Sequence, residues 1–320
     1  MQNPVLALVV PCYNEEAVLN STISRLIEVL NDLSVRDIIS KDSFLFLVDD
    51  GSLDKTFEII SAAHDENPKQ VKAISFVKNF GNQKAILAGM LELRKFNFDC
   101  CITIDADLQQ DETKIADFVE KFKQGSELVY GVKIQRNDDS LLKKVCAEGF
   151  YKVMNLLGAK TCPNHSEYRL VGRRLVDVLS TYSEHNIFLR GVFQEMGNNP
   201  AFVYYDVKKR MAGVSKFSMF DLFSLAIQGI TSFSTVPLRL VTFTGILISF
   251  CSFVLGLSAV IERIFDLSLK VVPGWATIVA AISFIGGIQI LCIGIIGEYL
   301  GQIFTEVKAR PRYIVGKELD

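Results

Sequence analysis

Two carboxylates bracketing one small residue, Asp105-Ala106-Asp107, follow an apolar run and continue as Leu108-Gln109. Such a pair offers hard oxygen ligands at one point. That suits a divalent cation, because Mg²⁺ is commonly held by one or two carboxylates together with substrate phosphates. A lone DxD also occurs in surface loops that bind nothing, so its place among other polar clusters carries the weight. Asp49 and Asp50 end a second apolar run in VDDGS. One of them is expected to cap the following helix, with Gly51 making the turn, and the other is then available to a base or ribose. In Pro11-Cys12-Tyr13-Asn14-Glu15, Tyr13 and Glu15 can hold a nucleoside by stacking and hydrogen bonding, or the segment can be only a turn and a helix cap. His64, His165 and His185 lack the spacing of a metal cluster, and none is assigned a catalytic role.

The elements that must position these groups follow from hydrophobic periodicity. The run from Val5 to Val10, FLFLV at 44–48, AISFV at 73–77 and CCITI at 100–104 are continuous rather than alternating, as strands covered on both faces are. Between them, apolar residues recur at helical spacing: Val18, Leu19, Ile23, Leu26, Ile27 and Leu30 within 17–33, a helix from about Asp54, and another around 83–93. Strand and helix in alternation predict an α/β fold with a doubly wound, mostly parallel sheet. Ligands of such sheets bind at the carboxyl ends of the strands, where the three polar clusters lie.

The last third reads differently. No charged residue occurs between Arg239 and Glu262, nor between Lys270 and Glu298, and each stretch exceeds the ~20 apolar residues a helix needs to span a bilayer. Two spans at about 238–261 and 273–298 are expected, forming a hairpin within 236–304. Lys208, Lys209, Arg210, Lys216 and Arg239 precede the first, Lys308, Arg310, Arg312 and Lys317 follow the second, and only Arg263 and Lys270 lie between. By the positive-inside rule both termini are expected in the cytoplasm, in a multi-pass protein of the inner (plasma) membrane. The segment 216–235 is apolar but broken by Asp221 and Gln228, which predicts an interfacial juxtamembrane helix. The domain reading is thus a cytoplasmic catalytic head at 1–215, this helix, the hairpin, and a cytoplasmic tail at 305–320.

Composition narrows the partners. With 49% hydrophobic residues in 320, a net charge of −2 and seven cysteines without a CxxC pair, the chain fits neither a nucleic-acid binder nor a disulfide framework. Strand-like sequence begins by Val5, so no signal peptide is expected and the thiols are expected to be free in a reducing compartment.

Taken in order, VVPCYNEE, VDDGSLDKT, KNFGNQKAILAG, DADLQ, RMAGVSKFS and IGEYLGQIFTEVKARPRYIV resemble the family 2 glycosyltransferases with a GT-A fold, in the polyprenyl-phosphate branch of bactoprenol glucosyltransferases and dolichol-phosphate mannose synthases. The resemblance covers nearly the whole chain. It implies that Pro11, Tyr13, Glu15, Val48 and Asp50 bind the nucleotide of a nucleotide-sugar, and that Asp105, Ala106 and Asp107 form the metal and diphosphate motif, with Asp105 and Asp107 on Mg²⁺ or Mn²⁺. It also puts Lys133, where the family often has arginine, near the diphosphate, and Arg210 and Lys216 near the acceptor phosphate. Arg136, Lys143 and Lys144 are weaker candidates for that phosphate. Arg210 and Lys216 can alternatively be interfacial cations drawn to anionic lipid.

One segment departs from the family. Where members often carry DFRL, this chain has Ser166-Glu167-Tyr168-Arg169-Leu170, with glutamate for aspartate. The extra methylene displaces the carboxylate, yet a phosphate monoester is already anionic near neutral pH and needs positioning more than deprotonation. Glu167 is the candidate catalytic acidic residue, expected with Arg169 to orient the acceptor or a cationic side chain.

The expected reaction is inverting transfer of a sugar, glucose from UDP-glucose by family analogy, to undecaprenyl phosphate for modification of a cell-surface glycan. Another donor sugar and a catalytically silent membrane scaffold are the alternatives. A processive synthase is disfavoured, since the single tryptophan, Trp275, stands outside any QxxRW motif. Gln289 with Gly286, Gly287, Gly294, Gly297 and Gly301 suits close helix packing and a homo-oligomer, a tetramer by resemblance, rather than a pore. A flippase for the product lipid is the remaining expected partner.

Overall fold

A computed structural model describes residues 3–134, 165–185, 187–197, 199–207, 236–264 and 275–320. The apolar runs form the centre of one eight-stranded sheet. Its strands are β1 (Leu6–Cys12), β2 (Phe44–Asp49), β3 (Val71–Phe76), β4 (Cys100–Thr103), β5 (Leu128–Lys133), β6 (His165–Gly172), β7 (Ala201–Tyr205) and β8 (Val315–Leu319), in the order β7-β5-β6-β4-β1-β2-β3-β8. Every residue of β1 and of β2 is buried, as expected of strands covered by helices on both sides.

The helices that cover the sheet are α1 (Leu19–Val35), α2 (Thr56–Glu66), α3 (Asn82–Glu92) and α4 (Ile115–Lys123). Leu19, Ile23, Leu26, Leu30 and Leu33 make the buried stripe of α1. Helix α3 approaches the sheet so closely that a Cβ on Gly89 would lie 2.4 Å from Val9 Cγ1, so only glycine fits there. Two shorter helices, α5 (Arg173–Leu179) and α6 (Leu189–Met196), follow β6.

The sheet is mixed. Strands β1, β2, β3 and β4 are parallel, with Pro11 beside Val48 and Cys12 beside Asp49, so the carboxyl ends of β1 and β2 finish level. β6 enters antiparallel between β4 and β5, pairing Arg169 with both Thr103 and Tyr130. That reversal matters for the site, because residues 167 and 169 share one face of β6 next to the end of β4. This is the GT-A-like mixed α/β arrangement that the resemblance implies.

The chain divides into two compact units, and the last residues, Arg310–Asp320, belong with the head. Rather than a separate tail, they supply β8, which pairs antiparallel with β3 at the sheet edge. Tyr313 stacks on Phe76 at 5.3 Å between ring centres and donates to Glu92 at 3.0 Å, while Lys95 bonds Glu318 at 2.9 Å.

The second unit contains the helices α7 (Val236–Ile264) and α8 (Trp275–Val307). Among the described residues one stretch, Phe284–Val307, is long and apolar enough to cross a membrane by length and composition, and Leu238–Cys251 is a shorter apolar helical run. Large apolar side chains on both helices are exposed, among them Phe243, Phe250, Phe253, Phe284, Ile290 and Leu291. The expected interfacial helix at 216–235 lies outside the described residues.

Candidate active site

The polar clusters converge where the strands end. Asn14, in the left-handed region at φ 53°, accepts from Leu53 N at 2.9 Å and donates its own N–H to Ser52 Oγ at 3.0 Å, and Glu15 N donates to Thr56 Oγ1 at 2.8 Å. The loop after β1 is therefore laced to the loop after β2, bringing Pro11, Tyr13, Glu15, Val48 and Asp50 to one region. Tyr13 and Glu15 are half-buried there.

The two aspartates of VDDGS divide their work. Asp49 accepts from Ser52 N at 3.0 Å and from Ser75 Oγ at 2.6 Å, holding the turn and the neighbouring strand. Asp50 accepts from Phe80 N at 2.7 Å and Gly81 N at 2.9 Å. Burial raises the Asp50 carboxyl to about 6 against those two N–H groups, with Asp49 pushing it further up and Lys84 pulling it down. Gly51 makes the turn at φ 65°, where a Cβ would lie 2.3 Å from the Lys78 carbonyl carbon. Lys84, whose own pKa burial lowers, lies 3.4 Å from His185 Nε2, and His185 Nδ1 is 3.1 Å from the Arg310 carbonyl oxygen. That contact carries the last segment of the chain to the edge of this region.

Past β4, Gln110 clamps the DAD loop. Its Oε1 accepts from Asp105 N at 2.8 Å, and its Nε2 donates to Asp105 Oδ2 at 2.6 Å. Asp107 Oδ1 accepts from Gln109 N at 3.1 Å, Leu108 is left-handed at φ 47°, and Thr22 Oγ1 donates to Ala106 O at 2.6 Å. The Asp105 carboxyl rises to about 7, first through burial and then through the charges of Asp107 and Glu167, opposed by Lys133 and Arg190. These five residues thus share one electrostatic neighbourhood.

Glu167 is the hub beside it. Its Oε1 accepts from Gln83 Nε2 at 2.9 Å and Arg190 Nε at 2.8 Å, and its Oε2 accepts from Arg169 Nη2. Burial alone would raise this carboxyl, but Arg169, Arg190 and the bonds from Arg190 and Gln83 hold it at about 2. Arg169 has no exposed surface and lies over the Phe193 ring at 4.9 Å. Its Nε and Nη1 find no hydrogen-bond partner among the described residues. Thr103 Oγ1 donates to the Glu167 carbonyl, tying β6 to the strand that carries the DAD loop.

A divalent cation fits this donor set. Two carboxylates at one strand end, with Asp105 raised by burial and by Asp107 and Glu167, mark a local excess of negative charge that such an ion relieves. Asp105 and Asp107 would hold it as a pair of carboxylates, as is common for such an ion where substrate phosphates complete its shell.

Lys133 stands exposed at the end of β5. Arg136, Lys143, Lys144, Arg210 and Lys216 lie outside the described residues. Three participants escape sequence reasoning: Gln83, Gln110 and Arg190. The first two stand inside or beside quoted motifs, and only their hydrogen bonds reveal their part; Arg190 carries no local signal at all.

A mixed sheet that gathers a carboxylate pair, a cluster of polar loops and an arginine-bound glutamate at its strand ends is the framework of a GT-A-like glycosyltransferase. The description Glycosyl transferase family 2 matches residues 7–180. The chain is 44% identical to the uncharacterized glycosyltransferase YkoT of Bacillus subtilis (strain 168), over 99% of this chain and 92% of that protein. It is 35% identical to the SfII prophage-derived bactoprenol glucosyl transferase of Shigella flexneri, over 98% of this chain and 97% of that protein. Among solved structures, glucosyl-3-phosphoglycerate synthase from Mycobacterium tuberculosis with Mn²⁺, UDP and glucosyl-3-phosphoglycerate aligns with a TM-score of 0.47 at 17% identity, covering 71% of this chain and 78% of that one. The chain belongs to glycosyl transferase family 2.

Proposed function

We propose that this enzyme transfers a sugar from a nucleotide-sugar, glucose from UDP-glucose being favoured, to undecaprenyl phosphate or a related polyprenyl phosphate at the cytoplasmic face of the membrane. The observation that carries the reading is the extent of the match. Similarity to a bactoprenol glucosyl transferase runs through 97% of that protein's length, apolar helices included, and not only through the sugar-nucleotide head.

Each residue has a part in the reaction. Tyr13, Glu15 and Asp50, with Pro11 and Val48 shaping the strand ends, hold the nucleoside. Lys133 neutralises charge on the diphosphate near Ala106. Arg136, Lys143, Arg210 and Lys216 are assigned to the acceptor phosphate. A phosphate oxygen of the lipid attacks the anomeric carbon, and the bond from that carbon to the diphosphate breaks on the opposite face, which inverts the configuration. Asp105 and Asp107 would hold Mg²⁺ or Mn²⁺, which when bound would supply charge neutralisation for the diphosphate.

Glu167 acts by positioning. A carboxylate held at about 2 by two arginines is too weak a base to take a proton at neutral pH. The phosphate monoester requires none. Glu167 instead fixes Arg169 and Arg190 beside the carboxylate pair.

Two membrane spans, a cytoplasmic head that includes the C-terminal strand, and association of copies through the glycines of α8 complete the reading. Among the described residues, no heavy atom beyond its own helix lies within 4 Å of a Cβ built on Gly286, Gly294, Gly297 or Gly301, which leaves room for a neighbouring helix. A flippase acting on the product is the downstream partner.

The test is transfer of radiolabel from a panel of UDP- and GDP-sugars into undecaprenyl phosphate, in membranes containing the protein, with Mn²⁺, Mg²⁺ or EDTA. A labelled lipid formed from one donor, lost with EDTA and with Asp107→Ala, is the expected result. No labelled lipid from any donor, in folded protein, would overturn the proposal and favour the silent scaffold.

A further inference from the structure

Arg190 enters neither the sequence motifs nor the expected site, yet it opens α6 against the centre of the carboxylate cluster. Its Nε donates to Glu167 Oε1 at 2.8 Å, and this is its one hydrogen bond among the described residues. A guanidinium has five N–H donors, so both Nη groups are left over.

Charge accounting shows why that surplus matters. Glu167 is a single negative charge set between two guanidiniums, those of Arg169 and Arg190. Among these three side chains one positive charge is left over, and the carboxylates nearest to it are those of Asp105 and Asp107. Arg169 is sealed, with a side chain 0% exposed, whereas the Arg190 side chain is 33% exposed. The open charge sits on Arg190. Its field reaches Asp105, where it opposes the carboxylates of Asp107 and Glu167. With a divalent cation on Asp105 and Asp107, that pair is neutralised and Arg190 becomes a free cation at the edge of the same site.

We propose that Arg190 is a phosphate-binding residue of the active site: Glu167 fixes its Nε, and its two Nη groups hold a phosphate oxygen beside the Asp105–Asp107 pair. The inference rests on the transferase reading above. Arginine suits the task because its fork meets two phosphate oxygens at once and stays charged at any working pH. The phosphate has two sources, the diphosphate of the donor and the monoester of the lipid acceptor. The competing explanation is that Arg190 merely balances Glu167, in which case its loss perturbs folding and leaves ligand affinities alone.

The experiment uses the full chain in detergent micelles, as wild type, Arg190→Gln and Arg190→Lys. Two affinities are measured without turnover: UDP with Mn²⁺ by calorimetry, and undecaprenyl phosphate by thermal-shift titration. Loss of a charge-assisted hydrogen bond predicts a fall of about 10- to 100-fold for Arg190→Gln in at least one of the two. Arg190→Lys, a point charge without the fork, should regain part of it. A fall for UDP assigns the donor diphosphate, and a fall for undecaprenyl phosphate assigns the acceptor. Both affinities within about twofold of wild type, in whichever variants fold, overturn the proposal. A wild type that binds neither probe would instead sink the transferase reading itself, so the two failures are distinguishable.

Discussion

Replacing Glu167 by glutamine keeps the shape of the side chain and one acceptor oxygen but removes the charge that compensates Arg169. Two routes give the cost. Breaking a buried ion pair by removing one partner typically costs about 3–5 kcal/mol, because the other charge is left in a low-dielectric setting. Independently, the Glu167 carboxyl is held at about 2 against an ordinary 4.5, worth about 3 kcal/mol at ~1.4 kcal/mol per pH unit. The residue is 8% exposed, so solvent screens little of this. At about 2–4 °C per kcal/mol for a domain of this size, Glu167→Gln should lower the unfolding midpoint by roughly 6–12 °C. With Cys146, Cys162, Cys251 and Cys292 replaced by serine in both proteins, a thiol-reactive fluorophore is a direct assay, since Cys12, Cys100 and Cys101 are buried in the sheet and react only once it opens. The pH dependence has a definite sign. A carboxyl depressed on folding contributes stability that is complete above its unfolded value near 4.5 and is lost as pH falls towards about 2. The gap between wild type and Glu167→Gln should therefore hold from pH 8 to 5 and shrink below it. A midpoint within about 1 °C of wild type at pH 7 would refute the hub.

Three further outcomes follow from the same geometry. Gly51→Ala places a methyl 2.3 Å from the Lys78 carbonyl carbon at a φ of 65°; it should cost at least ~2 kcal/mol of stability and weaken UDP binding, seen by thermal shift with and without nucleotide. Asp50, raised to about 6 in the folded protein, carries stability present below its unfolded value near 3.8 and lost as pH rises through 6. Asp50→Asn should accordingly gain on wild type in thermal midpoint between pH 4 and 7.5, and a constant difference over that range would contradict the assignment. Tyr313→Ala removes the ring stacked on Phe76 and the bond to Glu92; a loss of about 2 kcal/mol and easier proteolysis within β8 are expected, and an unchanged midpoint would mean that the last strand adds nothing to the head.

How far the sequence could be read depended on whether the determinants were local. Strands β1, β2 and β4 were legible because parallel strands buried on both faces need continuous apolar runs, and VVPC, FLFLVDD and CCITIDAD each end on the polar residues that stand at the site. The GT-A-like head came through the same patterns together with the resemblance. The antiparallel entry of β6 did not, since it depends on register with two strands distant in sequence, such as Thr103 opposite Arg169. The return of residues 315–319 to the edge of β3 was equally hidden: VGKEL is polar and half-exposed, and Lys95, which bonds its Glu318, lies more than two hundred positions away. Of the site, the DAD pair was visible from composition and spacing. The binding of Glu167 by Gln83 and Arg190 was not, because no spacing rule links three residues brought together from α3, β6 and α6.

The central claim is that the acceptor is a lipid phosphate. The most direct measurement supplies the purified full chain, in detergent with Mn²⁺, with labelled UDP-glucose and, in parallel, undecaprenyl phosphate, undecaprenol lacking the phosphate, and 3-phosphoglycerate, and identifies the products by mass. Glucosyl phospholipid formed from undecaprenyl phosphate alone is the predicted result. Transfer to undecaprenol or to the soluble phosphate, with none to undecaprenyl phosphate, would contradict it.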